Sequence, residues 1–227
     1  MVGLPTVTTR LHGNLLCKSK GITMKVLVAC EYSGIVRDAF TRAGADATSC
    51  DLLPTESQGK HYQGNVMDII NSENWDLMIA HPPCTYLSFA GGAYWNRPGR
   101  EYKRLEALKL FADLLNAPIP KICVENPMGI ADAVIRKHDQ IIHPYYFGES
   151  EMKRTCLWLK GLPKLVHIKE TTLFDFRTHT TKPSPIYVDY TGKKRYRTDS
   201  ISGGNYGKDR SRFFKGIADA MAEQWME

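Results

Sequence analysis

Short apolar runs alternate with helical segments along this chain, and this alternation constrains its fold more than any other feature. β-rich apolar runs predict strands at residues 25–30, 47–50, 75–80 and 121–124. Helical periodicity predicts helices at residues 35–43 and 101–115, with Gly44 placed to end the first of them. Strands that alternate with helices in this way predict an α/β fold with a mainly parallel, twisted sheet flanked by helices.

Polar and conformationally special residues follow each of these strands directly. They occupy positions 31–34, 51, 81–84 and 125–127. Ligands of open parallel sheets bind outside the carboxyl ends of the strands, so a functional site is predicted at that edge. Farther along, residues 161–202 are strand- and turn-like, and an amphipathic helix is predicted at 209–225.

The length and composition bound the class of protein. The 227 residues, 43% of them hydrophobic and 24% charged, suit one globular domain with a proper core. No apolar run approaches the roughly 20 residues that span a bilayer, so a cytoplasmic protein without membrane contact is expected. Residues 1–23 have no clear period and are predicted to be a loosely ordered extension, followed by a single domain at 24–227.

Cys84 stands apart from the other cysteines. None of the six belongs to a Cys-x-x-Cys pair, so zinc-ribbon spacing is absent and no metal site is predicted. Cys30 and Cys123 lie inside apolar runs and are predicted to be small buried hydrophobes. Pro82 and Pro83 fix the backbone and withhold two donors, so they end a strand and hold Cys84 in a rigid loop. A thiol held there, near basic residues, is a candidate nucleophile.

Glu125 ends the next apolar run, in the sequence Glu125-Asn126-Pro127. If the two strands are neighbours, Glu125 faces Cys84 across a pocket. Attack of a thiol on C6 of a pyrimidine needs an acid at ring N3, and a carboxyl group there supplies one. Without a neighbouring strand, the same residues form an ordinary strand-to-turn cap.

The first strand end has the composition of a nucleoside site. Ser33-Gly34 forms a tight turn, and Asp51 at the next strand end is spaced to accept hydrogen bonds from ribose hydroxyls. The full Gly-x-Gly-x-x-Gly is missing, so a nucleoside cofactor without pyrophosphate fits better than a dinucleotide. A plain turn and a solvated aspartate explain these two features equally well.

Basic residues cluster in two stretches, and the formal net charge is +6. The first stretch contains Arg97, Arg100, Lys103 and Arg104, shortly after Cys84. The second stretch contains the following late residues: Lys193, Lys194, Arg195, Arg197, Lys208, Arg210, Arg212 and Lys215. Cations interleaved with Tyr and Phe on both sides of one candidate site favour nucleic acid as the partner.

Taken together, these motifs resemble those of the cytosine-C5 DNA methyltransferases, particularly the short members encoded by phages and prophages. Pro82-Pro83-Cys84 with Ser88 and Gly91 is similar to the family's Pro-Cys loop, and Glu125-Asn126-Pro127 to its Glu-Asn-Val motif. Weaker matches follow in the family's order at 33–34, at Asp51, at Gly64-Asn65-Val66 and at Gly203-Gly204-Asn205. The resemblance runs from about residue 25 to the end of the sequence.

The resemblance implies a Rossmann-like, class I methyltransferase fold that uses S-adenosylmethionine and acts on cytosine in DNA. It makes Cys84 the nucleophile, Glu125 the group at N3, and Arg154 a base contact or a salt-bridge partner. It assigns the following residues to the cofactor: Glu31, Tyr32, Ser33, Gly34, Asp51, Leu52, Asn65, Val66, Pro82 and Asn205. A cytosine in duplex DNA would have to be flipped out of the stack.

Several positions depart from the family pattern. Met152 and Cys156 stand at the ends of the segment in which the family has Gln-x-Arg-x-Arg, and only the middle arginine, Arg154, is kept. Residues 161–202 form a short recognition-like insert, before a cofactor-pocket segment and closing helix at 203–227. His81 replaces a small residue of many relatives and is predicted to cap its strand rather than take part in chemistry. His143 lies in an apolar stretch and is predicted to be packed.

Three alternatives remain open at this stage. A pyrimidine methyltransferase could act on RNA or a free nucleotide, as the short insert would allow. A non-catalytic module that binds nucleic acid or protein could keep the scaffold alone. An amino-group methyltransferase is the weakest alternative, because residues 81–84 lack both the acid and the aromatic residue of an Asp-Pro-Pro-Tyr motif.

Overall fold

A computed structural model describes residues 23–167, 181–196 and 212–226 of the chain. Its centre is a seven-stranded sheet with the strand order β3-β2-β1-β4-β5-β7-β6. The strands are β1 (Lys25–Ala29), β2 (Asp46–Asp51), β3 (His61–Gln63), β4 (Leu77–Ala80), β5 (Lys121–Asn126), β6 (Gln140–Ile142) and β7 (Thr155–Lys160). A separate two-stranded hairpin pairs β8 (Tyr187–Val188) with β9 (Lys194–Arg195).

The sheet is mainly parallel. The pairs β1–β2, β1–β4, β2–β3 and β4–β5 are parallel, whereas β7 runs antiparallel to both of its neighbours. Within the described residues, the α-helices are α1 (Ile35–Arg42), α2 (Val66–Ile69), α3 (Arg100–Leu115), α4 (Ala131–Val134) and α5 (Lys215–Trp225). This arrangement confirms the predicted Rossmann-like α/β fold, with a mainly parallel sheet flanked by helices.

Buried side chains cover both faces of the sheet. Val26 and Val28 of β1 point to the face that α1 and α5 cover, and Leu27 and Ala29 point to the face that α3 covers. A strand buried on both faces is apolar throughout rather than alternating, as β1 is. The two helical layers leave the strand ends as the place where polar side chains collect.

Several predicted boundaries and faces need correction. The closing helix begins at Lys215 rather than at 209, since residues 212–214 are not helical. Leu105, predicted with Leu108 and Phe111 on the buried face of its helix, is 64% exposed. Cys30 is not a residue of a buried strand: it is partly exposed and has a φ of 58°, because β1 ends at Ala29 and the chain turns there.

Other predictions are confirmed. Gly44 follows α1 with a φ of 100°, the left-handed conformation that favours glycine after a helix. Cys123 is fully buried in β5. His143 is packed among aromatic rings, with Tyr145 and Tyr146 next to it.

Candidate active site

Cys84 and Glu125 lie at the ends of neighbouring strands, Cys84 in the loop after β4 and Glu125 in β5 itself. Ala80 of β4 is in register with Val124 of β5, so His81, the first residue after β4, comes beside Glu125. The backbone N–H of His81 donates to the carbonyl of Ala29 at 2.9 Å, which extends the β1–β4 pairing by one residue. β4 and β5 are therefore neighbouring strands, which is the condition on which the predicted pairing of Glu125 with Cys84 depends.

Several hydrogen bonds brace the Cys84 loop against the loop that follows β5. The side-chain amide of Asn126 donates to the carbonyl of Pro82 at 2.7 Å. Ser88 forms a β-bridge with Gly129, and a Cβ on Gly129 would collide with the carbonyl of Leu87. The carbonyl of Cys84 itself accepts from the backbone N–H groups of Leu87 and Ser88 at 3.0 and 2.9 Å. The Pro-Cys loop is therefore held at both of its ends.

Cys84 is the one exposed cysteine among those that the structure describes. Burial raises the pKa of Cys30 and Cys156 to about 12 and that of Cys50 to about 11. Burial also raises the pKa of Cys123 well above its ordinary value. Within the described part of the chain, Cys84 is thus the thiol that a substrate can reach.

Glu125 is the buried carboxyl group beside this loop. The residue is only 8% exposed, and its Oε2 lies 3.2 Å from Nδ1 of His81. A buried carboxyl group is costly unless a hydrogen-bonding partner compensates it, and His81 is that partner here. His81 was predicted only to cap its strand, and its contact with Glu125 was not foreseen.

The turn after β1 is organised by its own side chains. Glu31 is buried, and its carboxylate accepts from the backbone N–H groups of Val36 and Arg37 at the start of α1, at 2.7 and 3.2 Å. The hydroxyl of Ser33 donates to the same carboxylate at 3.2 Å. Gly34 has a φ of 75°, and a Cβ there would collide with the side chains of Ser57 and Arg37. The sequence predicted the turn, and the structure adds the close approach that makes glycine necessary.

Arg37 holds the loop after β2 and was missed by sequence reasoning. It is 1% exposed, and it pairs with Asp38 at 2.8 Å. The guanidinium also donates to five further groups of β2 and its following loop: the hydroxyls of Ser49, Thr55 and Ser57 and the carbonyls of Ser57 and Gln58. An arginine between the apolar residues of α1 is the one signal that could have revealed it.

The predicted cofactor residues after β2 line up along the same edge. Asp51 ends β2, and its Oδ1 accepts from the backbone N–H of Leu53 at 2.9 Å. Leu52 is 73% exposed. Asn65 caps α2 by accepting from the backbone N–H of Met67 at 3.0 Å, while Val66 is buried in the core. Val66 therefore supports this edge of the sheet by packing in the core.

Arg154 and Cys156 have different environments. Arg154 is exposed at the start of β7, with Nη1 3.0 Å from the sulfur of Met128, in the loop that follows Glu125. Cys156 is fully buried, in register with Asn126. The side chain that stands in place of the family's last arginine thus lies in the core, whereas Arg154 lies near the candidate site.

The first basic stretch is paired with aromatic rings. The guanidinium of Arg97 lies 4.3 Å from the ring centroid of Tyr94, Arg100 lies 4.7 Å from Tyr86, and Arg104 lies 4.4 Å from Trp95. These cation–π pairs order the cations beside the Cys84 loop. We call residues 86–104 the cation–aromatic face.

The second basic stretch is only partly described. Arg195 pairs with Asp189, Arg212 with Glu56, and Lys215 with Asp219. The predicted cofactor residue Asn205 lies outside the described residues, as do Arg197, Lys208 and Arg210. The extension predicted at 1–23 also lies outside them except for Thr23.

Comparisons with known proteins give similarity to methyltransferase structures at low identity. A DNA modification methyltransferase encoded within a prophage of E. coli matches at 16% identity and a TM-score of 0.39, covering 60% of this chain and 46% of that one. The Entamoeba histolytica methyltransferase EhMeth matches at 14% identity and a TM-score of 0.44, covering 72% of this chain and 58% of that one. The chain thus spans about half the length of these two structures.

No protein-family description matches the sequence, and no curated protein matches it either. Among the described residues, no helix combines the length and apolar character needed to cross a bilayer.

Proposed function

We propose that the protein transfers a methyl group from S-adenosylmethionine to C5 of cytosine in DNA through a covalent bond between Cys84 and C6. One observation carries the proposal: an exposed thiol in a braced proline loop and a buried carboxyl group, Glu125, lie at the ends of adjacent strands. An exposed thiol can reach a base, and a compensated buried carboxyl group can hold a proton for it.

In the proposed reaction, the thiolate of Cys84 adds to C6 while the carboxyl group of Glu125 protonates N3. The electron pair displaced from the C5–C6 double bond makes C5 nucleophilic. S-adenosylmethionine supplies the methyl group that C5 takes up. A base then removes the C5 proton, the C5–C6 double bond re-forms, and the thiolate of Cys84 leaves as N3 returns its proton to Glu125.

The residues at the first two strand ends fit a nucleoside cofactor. Glu31 and the left-handed Gly34 fix the turn between β1 and α1, so an ordered backbone would border the cofactor. The carboxylate of Asp51 would accept from ribose hydroxyls, and the exposed side chain of Leu52 would cover one face of the adenine. Asn65, at the start of α2, would face the adenine edge.

DNA is the proposed substrate because of the cation–aromatic face. Its arginines come shortly after the nucleophile in sequence and are held in place by aromatic rings, so they are ordered to bind phosphates and an unstacked base. Arg154, exposed beside Met128, is the proposed contact to the target base. The short segment between β7 and α5 favours RNA or a nucleotide as the second candidate substrate, since it leaves little room for a recognition domain.

The proposal is tested by methyl transfer from labelled S-adenosylmethionine to duplex DNA, single-stranded DNA, RNA and free cytidine nucleotides in parallel. Wild-type protein is expected to label C5 of cytosine in DNA, and C84S is expected to label nothing while it still binds the cofactor in calorimetry. Label in RNA or nucleotides alone would move the proposal to the second substrate. Cofactor binding without any transfer, or transfer by C84S at the wild-type rate, would contradict the covalent mechanism.

A further inference from the structure

We propose that His81 is a positioning residue for Glu125. Its Nδ1–H donates to Oε2 of the carboxyl group and thereby leaves Oε1 to exchange a proton with N3 of the pyrimidine. This inference rests on the proposed function and deepens it, because it assigns a role to a residue that the sequence predicts only to cap its strand.

The backbone of the sheet fixes where the imidazole stands. The N–H of His81 donates to Ala29 on one side, and the register with β5 sets Glu125 on the other. The His81 side chain leaves the same face of the sheet as that of Glu125, and both side chains are 11% exposed. The 3.2 Å separation of Nδ1 and Oε2 therefore follows from strand pairing, rather than from a chance encounter of two surface side chains.

The surroundings of the ring select the nitrogen that carries the proton. Phe213 packs against the imidazole, with 4.6 Å between the ring centroids. Nε2 is buried and has no hydrogen-bond partner among the described residues. A buried N–H without an acceptor is costly, so a neutral imidazole carries its proton on Nδ1, where Oε2 accepts it.

This donation distinguishes the two carboxyl oxygens of Glu125. Among the described residues, the hydrogen bond of this side chain engages Oε2 alone. The side-chain amide of the neighbouring Asn126 does not bond Glu125, because it donates to the carbonyl of Pro82. A carboxyl group held by one oxygen presents the other in a fixed direction, and such orientation is what proton transfer to a base requires.

The proton balance of the addition step follows directly. Glu125 begins as a carboxylic acid with its proton on Oε1 and with Oε2 accepting from Nδ1–H. As the thiolate adds to C6, the Oε1 proton passes to N3 and the carboxyl group becomes a carboxylate. The Nδ1–H bond to Oε2 strengthens as that charge develops, because hydrogen bonds to ionised acceptors are the stronger ones. The proton returns to Oε1 when the thiolate leaves.

A pair of matched variants separates donation from packing. In H81N the side-chain amide nitrogen takes the place of Nδ1 and keeps a donor, whereas H81L keeps a similar volume without one. H81L is expected to lower kcat for methyl transfer by about 10- to 100-fold, with KM for DNA changed by less than about twofold. H81N is expected to recover most of kcat.

A double-mutant cycle with E125Q and a spectroscopic measurement complete the test. H81L is expected to cost no further rate in the E125Q background, and ¹⁵N NMR of the imidazole is expected to show a protonated Nδ1 in wild-type protein. Equal losses in H81N and H81L, additive losses in the cycle, or an unprotonated Nδ1 would overturn the role of His81 and leave the proposed function standing. Wild-type protein that transfers no methyl group to any pyrimidine would instead overturn the proposed function, and this inference with it.

Discussion

Replacing Arg37 with methionine is expected to destabilise the protein by about 3 kcal/mol. The guanidinium is 1% exposed and bonds the carboxylate of Asp38, three hydroxyls and two carbonyls. Breaking a buried charge pair costs about 3–5 kcal/mol, and the lower end applies because the Asp38 side chain is 35% exposed and can be rehydrated. The loop after β2 would lose its anchor at the same time, so weaker binding of S-adenosylmethionine is also expected.

Urea denaturation of wild-type, R37M and R42M proteins measures this difference. Arg42 is the matched control, since it belongs to the same helix and bonds Asp219 with its side chain 53% exposed. An exposed pair of this kind contributes less than about 1 kcal/mol, so R42M should remain close to wild type. The reasoning would be refuted if R37M lost less than about 1 kcal/mol or fell together with R42M.

Two further predictions concern titratable groups. Brief treatment of the native protein with iodoacetamide at pH 8 should alkylate Cys84, while Cys30 and Cys156 react only after unfolding, because desolvation raises the pKa of each thiol to about 12. Peptide mapping gives the order of labelling, and early labelling of Cys30 or Cys156 would contradict the prediction. Burial, together with the nearby cation of Arg154, lowers the pKa of His143 in the folded protein. The unfolded chain therefore binds the extra proton first, so the free energy of unfolding should fall as the pH drops from 7.5 through the unfolded-state pKa of about 6.5. Denaturation at several pH values should show a smaller slope in H143Q than in wild-type protein, and equal slopes would contradict this role of His143.

Much of the sheet could be predicted from the sequence because its strands are buried on both faces. β1, β4 and β5 are short apolar runs that end in special residues, and that pattern does not depend on long-range contacts. β3 was missed: it has three residues, all at least partly exposed, so it carries no apolar signal. β7 was assigned only to a motif, and nothing local reveals that it runs antiparallel to β5.

The candidate site could be predicted in its residues but not in its contacts. Cys84 and Glu125 follow from local composition, and the strand order puts them at the ends of adjacent strands. The pairing of His81 with Glu125 depends on register, and the anchoring of residues 55–58 by Arg37 depends on a loop that folds back over α1. Helical periodicity predicts Leu105 on the same buried face as Leu108, but Leu105 is exposed because the first turns of α3 are not covered.

The most direct test of the central claim is the mass of the protein after incubation with S-adenosylmethionine and DNA that contains 5-fluorocytosine. Fluorine at C5 cannot leave as a proton does, so a bond between Cys84 and C6 would persist after the methyl group has been transferred. The expected product is an adduct with the mass of protein plus methylated oligonucleotide, located on Cys84 by peptide mapping and absent from C84S. No adduct with wild-type protein, under conditions in which methyl transfer to ordinary DNA proceeds, would contradict it.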